Sequence, residues 1–391
     1  MPQSDASDPA AGRRRIAVLT TGRQDYGILR STLLALRDDP ATELLVYAGG
    51  MHLLPRFGRT IDAVRADGFA SIRELDFVSE PPDPAGDASR ALAATAEALE
   101  ADRPDALLMV GDRSETLAAG LAAALRSVPI VHLHGGEETE GAVDNAIRHA
   151  LTKLASLHFV THEAHAKRVR QLGEPPETVI VAGAPGLDNL YRTDLPDRAS
   201  LAADLGLALE APLVVVTVHP TTLASGGPNE VTAIADAMAA VPATYIVTLP
   251  NADAGGVEIR AFWERWAAGR TNVTLVDALG ETRYWALLRL ADAVLGNSSS
   301  GIIEAPAAGV PVVNVGDRQL GRLRPASVRD VPVDSTVIEA ALREAVRPES
   351  RVEAARTPSL FPAGPAAPRI LAGLHAWRVP VPPRKRFNDL I

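Results

Sequence analysis

The sequence alternates short aliphatic runs with longer amphipathic segments. From Ile16 onward, "RIAVLTTG" and "TELLVYAGG" predict strands on either side of a helical "YGILRSTLLALRDD", and "DALLMVGD", "SETLAAGLAAALRS" and "VPIVHLHGG" repeat the pattern. Strands that are apolar almost throughout are buried on both faces, as in a parallel sheet that helices cover from both sides. The pattern therefore predicts an α/β fold.

The same alternation begins again later in the chain. "APLVVVTVHP", "ATYIVTLPNAD", "TNVTLVDA", "DAVLGNSSSG" and "VPVVNVGDR" predict a second set of strands, and "ETRYWALLRLA" predicts a helix between them. A connection rich in Gly, Pro and Asp, "GAPGLDNLYRTDLPDR", separates the two sets. We predict two Rossmann-like, doubly wound domains with a cleft between them. The expected division is a disordered tail (1–15), a first domain (16–192), a second domain (193–370) and a C-terminal segment (371–391) that packs back on the first domain.

Composition narrows the functional classes. Hydrophobic residues make up 47% of the 391 residues and charged residues 22%, which is typical of a globular protein and not of a disordered one. A net charge of −9 with scattered basic residues disfavours nucleic-acid binding. There is no Cys, which excludes disulfides and a cysteine nucleophile, and no run approaches the ~18 apolar residues of a membrane span. We expect a cytoplasmic protein without a nucleic-acid or membrane partner.

The most specific motif is "LGNSSSGIIEAPAAGVP", residues 295–311. Ser298, Ser299, Ser300 and Gly301 form a turn between a predicted strand and a helix expected to open at Ile302. Backbone N–H groups, hydroxyls and the positive end of a helix dipole together form a phosphate cradle. Glu304, one turn further on, is placed to accept the two hydroxyls of a ribose. The alternative is a serine that only caps an ordinary helix.

Three arginines and a histidine follow other strand ends. Arg23 lies in "TTGRQDYG", and Arg318 and Arg322 lie in "VGDRQLGR"; guanidinium groups bind diphosphates with two parallel hydrogen bonds. His219 ends "VTVHP", where a structural cap is the alternative to a role in chemistry. The arginines together imply a strongly anionic ligand.

Carboxylates cluster in "LHGGEETEGAVDNAIRHALTK", residues 133–153. Glu137 follows a strand end, Asp144 precedes a helix that carries Arg148, and Asp112 ends the neighbouring strand in "LMVGDRSET". A capped helix with solvated acids would explain Glu138 and Glu140, but it explains Glu137 poorly. An N-cap role is an equal alternative for Asp112. No His/Asp spacing matches a metal site, so we expect no metal.

At these residues the sequence resembles the UDP-N-acetylglucosamine 2-epimerases, and within them the hydrolysing, sialic-acid-pathway branch. The resemblance covers about residues 16–330 in order, through the motifs "GRQDYG", "GMHL", "GDRSET", "HGGEETEGAVDNAIRHALTKLASLHF", "TVHPTT", "LPNADAGG" and "GNSSSGIIEAPAAGVPVVNVGDRQLGR". It implies the glycosyltransferase-B type of fold, a UDP-sugar bound in the cleft and no cofactor. We also expect a homo-oligomer, either a dimer or a tetramer.

The resemblance also assigns roles to individual residues. Its implied catalytic residues are Asp112, Glu137, Asp144 and His219. Its implied substrate-binding residues are Arg23, His52, Arg148, Asn251, Ser298, Ser299, Ser300, Gly301, Glu304 and Arg318. Position 145 departs from the family pattern, because it holds Asn where an acid is usual.

The implied reaction explains why several acids are needed. The C2 hydrogen of the sugar becomes acidic only as UDP leaves C1, so a 2-acetamidoglucal forms, and a second acid must protonate C2 from the opposite face. Water addition at C1 then gives N-acetylmannosamine and UDP. Three alternatives stay open: recapture of UDP by a non-hydrolysing epimerase, which Asn145 would favour, a retaining glycosyltransferase, and an inactive UDP-sugar-binding protein.

Overall fold

The first half of the chain folds around a parallel sheet of seven strands. The computed structural model describes residues 12–55, 58–81, 83–138, 144–220, 229–250, 256–277, 279–380 and 385–389. The strands are β1 (Arg14–Thr20), β2 (Thr42–Gly49), β3 (Ile72–Leu75), β4 (Ala106–Val110), β5 (Ile130–Leu133), β6 (Leu157–Val160) and β7 (Val179–Val181). Their order across the sheet is β3-β2-β1-β4-β5-β6-β7, and every pairing is parallel.

Helices connect these strands and cover both faces of the sheet. They are α1 (Arg23–Asp38), α2 (Ile61–Ala66), α3 (Pro84–Asp102), α4 (Ser114–Leu125), α5 (Asp144–Leu154) and α6 (Glu163–Gln171). Leu29 and Leu33 of α1 lie in the core on one face of the sheet, and Ala98 of α3 and Ala119 of α4 lie in the core on the other. The sheet is therefore buried on both sides, which explains its almost wholly apolar strands.

The second half repeats this arrangement with six parallel strands in the order β10-β9-β8-β11-β12-β13. The strands are β8 (Leu213–Thr217), β9 (Thr244–Thr248), β10 (Val273–Val276), β11 (Ala293–Gly296), β12 (Val312–Val315) and β13 (Val328–Val331). The helices are α7 (Arg198–Leu205), α8 (Asn229–Ala240), α9 (Gly256–Ala267), α10 (Gly280–Leu290), α11 (Glu304–Ala307), α12 (Ser335–Ala345), α13 (Pro348–Arg356) and α14 (Ala367–Ala376). The prediction of two doubly wound α/β domains is confirmed.

The last helix leaves the second domain and joins the core of the first. Ile370 and Leu374 of α14 are buried in the same core as Leu29 and Leu33 of α1. Asp188, in the 3₁₀ turn Pro185–Tyr191, accepts hydrogen bonds from the backbone N–H groups that open α14. The domain boundaries proposed from the sequence stay predictions. Among the described residues, no helix combines the length and the apolarity needed to cross a membrane.

Each sheet reverses its strand order at one place, and this determines where a ligand can bind. The reversal lies between β1 and β4 in the first sheet and between β8 and β11 in the second. At such a point the connections from adjacent strands run to opposite faces, which leaves a crevice at the carboxyl ends of the strands. The segments that follow these four strands carry most of the candidate residues.

Gly296, the last residue of β11, packs closely against the backbone of Thr217 at the end of β8. Its φ is +135°, and a Cβ added there would lie 2.0 Å from the carbonyl oxygen of Thr217. We expect Gly296→Ala to lower the free energy of unfolding by about 2–4 kcal/mol, measured by urea denaturation. Gly27→Ala, inside α1 with nothing within 4 Å of the new Cβ, is the control and should raise it by about 0.5–1 kcal/mol. Equal effects at both positions would contradict this packing.

Candidate functional site

The cleft lies where the carboxyl ends of the two sheets meet. Glu137, which follows β5, pairs with Arg322, which follows β12, at 3.1 Å between the carboxylate and the guanidinium. Arg23, at the start of α1, donates to the carbonyl of Asp277 in the second domain at 3.4 Å. These two contacts bring the acids of the first domain and the anion-binding segments of the second to one place.

Arg148 organises the acidic side of the cleft. Its guanidinium is almost wholly buried on α5 and forms an ion pair with Asp112, the residue that follows β4 and Gly111. It also donates to the carbonyl of Glu137 at 2.8 Å and to the side-chain oxygen of Asn145 at 2.9 Å. One buried cation therefore fixes residues that follow β4 and β5 and the first turn of α5.

The surroundings of Asp144 raise its affinity for a proton. Burial raises its pKa, and the nearby Asp112 carboxylate raises it further. The positive charges of Arg148, Arg113 and Arg318 oppose these effects. Arg318 belongs to the second domain, so part of this opposing positive charge comes from across the cleft.

Glu137 is held in its ionised form. One of its carboxylate oxygens contacts His134 Nδ1 at 2.8 Å and accepts from Thr161 at 3.0 Å, and the other accepts from Arg322. Burial alone would raise its pKa, but His134, Arg322 and His165 outweigh burial and hold the pKa well below the usual range. Its partners therefore suit Glu137 to fixing the cleft more than to carrying a proton.

Asn297, directly after β11, supports the opposite wall. It is fully buried, and its side chain exchanges two hydrogen bonds with the backbone of His219, at 2.7 and 2.9 Å. Its carbonyl accepts from Arg318 at 3.1 Å and from Gln319 at 2.9 Å. Asn297 thus ties the ends of β8, β11 and β12 together at the predicted phosphate cradle.

His219, Arg318 and Arg23 form the positive part of this wall. Burial, together with the positive charges of Arg318 and Arg23, lowers the pKa of His219 to about 3. The Nδ1 atom of His219 is buried and has no hydrogen-bond partner among the residues that the structure describes. A neutral imidazole between two guanidinium groups can donate a hydrogen bond to an anion.

The serine turn follows directly. Ser298 accepts from the N–H of Ser300 at 3.3 Å, and the hydroxyl of Ser300 contacts that of Tyr284. Burial raises the pKa of Glu304, and one of its carboxylate oxygens is buried with no hydrogen-bond partner in the described part of the chain. A buried acceptor of this kind suits the hydroxyl groups of a sugar, so the ribose role of Glu304 stays a prediction that this geometry supports.

Three expectations from the sequence differ from the structure. The helix expected to open at Ile302 begins at Glu304 and runs for four residues, after the 3₁₀ turn Ser299–Gly301, so the cradle rests on turn N–H groups more than on a long helix dipole. Asp112 does not cap α4; Arg113 occupies that position without a side-chain cap, and Asp112 pairs with Arg148. Arg322, expected to face the anion, pairs with Glu137.

Two other residues, His52 and Asn251, are predicted from the resemblance to bind the substrate. His52 is fully buried, and its two ring nitrogens contact the hydroxyls of Thr20 at 2.9 Å and Thr60 at 2.7 Å, so it braces the loop after β2. Asn251 lies outside the described residues. In the described part of the chain, no group of three or more His, Cys, Asp or Glu residues could hold a metal ion.

The sequence interpretation missed Asn297, His134 and Tyr284. Asn297 stands between a strand-ending Gly and the serine turn, a position that could have marked it as a support. His134 has a φ of +65°, which is strained for a residue with a side chain, and it lies three residues before its partner Glu137. Nothing local to Tyr284 marks it, because its contact with Ser300 depends on how α10 packs.

Comparison with known proteins gives consistent matches. Residues 34–375 match the family model described as UDP-N-acetylglucosamine 2-epimerase. The chain is 35% identical to a protein of Legionella pneumophila named UDP-N,N'-diacetylbacillosamine 2-epimerase (hydrolyzing), over 85% of this chain and 89% of that protein. It is 32% identical to a Campylobacter jejuni protein named GDP/UDP-N,N'-diacetylbacillosamine 2-epimerase (hydrolyzing), over 82% of this chain and 85% of that protein.

A solved structure has the same fold. The UDP-GlcNAc 2-epimerase of Neisseria meningitidis bound to UDP-GlcNAc superposes with a TM-score of 0.79 at 18% identity and covers 92% of this chain and 99% of that one. At this identity the likeness concerns the fold alone. The matches confirm the family resemblance drawn from the motifs and the two-domain fold of the glycosyltransferase-B type.

The coupling between Asp112 and Asp144 can be measured directly. Asp112→Asn removes a negative charge beside Asp144, so the pKa of Asp144 should fall, and its titration should move to lower pH. The measurement is a ¹³C NMR titration of labelled aspartate carboxyl groups. Glu100→Gln, which removes an exposed acid paired with Arg126, should leave the Asp144 titration unchanged. An unchanged or raised pKa in Asp112→Asn would contradict the coupling.

Proposed function

Because the chain belongs to the UDP-N-acetylglucosamine 2-epimerase family, we propose that it inverts C2 of a UDP-activated 2-acetamido sugar and releases UDP and the free sugar. One observation carries the proposal: Arg148 pairs with Asp112 and binds the carbonyl of Glu137, and Glu137 pairs with Arg322, so the acids of the first domain meet the arginine segment of the second in one cleft. Acids on one wall and cations on the other are the groups that elimination of an anionic leaving group requires.

The second domain, joined by Arg23 of the first, supplies stabilisation of the leaving group. As the bond between C1 and the diphosphate oxygen breaks, UDP takes the electron pair and negative charge grows on its oxygens. Arg318, Arg23 and the neutral His219 are positioned to bind that charge more strongly than they bind the intact substrate. Ser298 to Gly301 and Glu304 would hold the diphosphate and the ribose.

The first domain supplies the proton transfers. We assign removal of the C2 proton to Asp144, because burial and the nearby Asp112 carboxylate raise its pKa and so make it a stronger base than an ordinary aspartate. The C2 electron pair then forms the C1=C2 bond of a 2-acetamidoglucal. Water then supplies both groups: its proton reaches C2 from the opposite face by way of Asp112, its hydroxide adds to C1, and Asp144 releases the proton it removed to solvent.

The fate of C1 distinguishes the two kinds of epimerase. Two relatives, of 35% and 32% identity, are named as hydrolyzing enzymes, which supports capture of water over recapture of UDP. Asn145 also has a defined structural part, since it donates to Glu138 and accepts from Arg148. The presence of Asn145 where the family usually has an acid therefore does not by itself favour the non-hydrolysing reaction.

Two sugars are candidates. UDP-N-acetylglucosamine is the substrate that the motifs imply, and a Neisseria meningitidis relative of 29% identity is named for it. The relatives of 35% and 32% identity are named for a sugar with a second acetylated amine, which favours that sugar as the alternative. The homo-oligomer and the cytoplasmic location stay predictions from the sequence.

The test is product analysis in deuterated water. Each UDP-sugar is incubated with the protein and followed by ¹H and ¹³C NMR, with Asp144→Asn as the matched inactive control. The proposal predicts UDP and a free sugar that is inverted and deuterated at C2. A UDP-linked, deuterated product would show the non-hydrolysing reaction instead. Turnover without deuterium at C2 would favour a retaining glycosyltransferase, and tight UDP binding without turnover would favour an inactive binding protein.

A further inference from the structure

The C-terminal residues 385–389, here called the strap, return to the first domain at the end of α5. Lys385 donates from its ammonium group to the carbonyl of Thr152 at 2.8 Å and to that of Ala155. The last carbonyl groups of a helix have no partner within the helix and carry partial negative charge. The strap therefore places a cation where the end of α5 requires hydrogen-bond donors.

The same ammonium completes a buried ionic cluster. Glu174, which is 1% exposed, lies 2.7 Å from Lys385 through one carboxylate oxygen and 2.7 Å from Lys153 through the other. His158 contacts the first oxygen at 3.1 Å. These three partners outweigh burial and lower the pKa of Glu174 to about 2, so the carboxylate stays ionised. A buried carboxylate in this form is stable only when cations are paired with it.

Two further contacts make the strap specific in position. The N–H of Asn388 donates to the carbonyl of Gly173 at 2.9 Å. The ring of Phe387 lies so close to Gly173 that a Cβ there would come within 2.5 Å of it, and Lys153 lies 4.8 Å above the same ring. The strap thus fits a surface made by α5 and the turn after α6.

The position of α5 determines the position of the acids. The helix has 11 residues, which corresponds to about 16 Å, with Asp144 at its first position and the strap at its last turn. Thr152 donates to the carbonyl of Arg148 at 3.1 Å, so the strapped turn is joined directly to the residue that binds Asp112. A helix of this length moves largely as one body, so a shift at one end displaces the groups at the other.

We propose that Lys385 is a positioning residue, through which the C-terminal strap holds α5 and its acid pair in the arrangement used for proton transfer at C2. This inference rests on the proposed function for its chemistry. Its structural part, the fixing of α5 by the strap, is independent of which sugar the protein uses. Misplacement of a catalytic group by 1 Å costs about 10²-fold in rate.

The first experiment measures hydrogen exchange in the full-length protein and needs no substrate. Lys385→Met should speed amide exchange in residues 148–154 by at least about 10-fold, as expected when a helix end loses its capping cation, while β8 and β11 stay unchanged. Arg386→Met, which removes the adjacent exposed cation of the strap, is the matched control and should match the wild type. Unchanged exchange in Lys385→Met would overturn the proposal.

The second experiment separates positioning from general damage. Lys385→Met should lower kcat by about 10-fold or more while the Kd for UDP stays within about twofold, because the proposed UDP ligands lie in the other domain, apart from Arg23 on α1. Lys385→Arg, which keeps the charge, should restore part of kcat. Phe387→Ala should give a smaller loss with the same pattern, and it serves if Lys385→Met does not fold. A parallel loss of kcat and of UDP affinity would overturn the proposal, whereas absence of turnover in the wild type would count against the proposed function alone.

Discussion

The site depends on a single buried cation. The guanidinium of Arg148 has almost no exposure, and a buried charge is tolerated only when carboxylates and carbonyls satisfy it. Asp112, the carbonyl of Glu137 and the side chain of Asn145 meet that requirement. Those partners come from three separate chain segments, so satisfying one charge assembles the acidic wall. The same arrangement leaves Asp144 buried beside the ion pair of Arg148 and Asp112. Burial and the Asp112 carboxylate both raise the pKa of Asp144.

The fold explains why this wall faces a positive one. Both sheets are parallel and both reverse their strand order, so each presents a crevice at its carboxyl edge. Asn297 aligns the strand ends of the second domain, and the contact between Glu137 and Arg322 joins the two edges. Most of the acids thus lie in the crevice of the first sheet, and most of the cations that would bind the nucleotide lie in the crevice of the second. The two sets therefore do not neutralise one another. In the proposed reaction, this division would let one wall stabilise the departing nucleotide while the other transfers protons.

Much of this organisation follows from sequence pattern. The inner strands β1, β4, β8 and β11 are continuous apolar runs, so they and the polar residues that follow them could be predicted. The outer strands β3 and β13 could not, because the edge strands "IREL" and "VRDV" each place two adjacent charged residues between two apolar ones, which is neither a continuous apolar run nor an alternation. The partner of Arg322 could not be predicted from the sequence either. That pairing spans 185 residues, and only the packing of two domains decides whether a guanidinium meets a ligand or a carboxylate.

The central claim is that Arg148 assembles the acids without binding the nucleotide. The most direct measurement compares Arg148→Met with the wild type in two assays, turnover of the UDP-sugar and calorimetric binding of UDP, with Arg126→Met as a surface control. The account predicts a fall in kcat of at least about 10²-fold with UDP affinity within about threefold of the wild type. Retention of kcat in Arg148→Met, or a loss confined to UDP affinity, would contradict it.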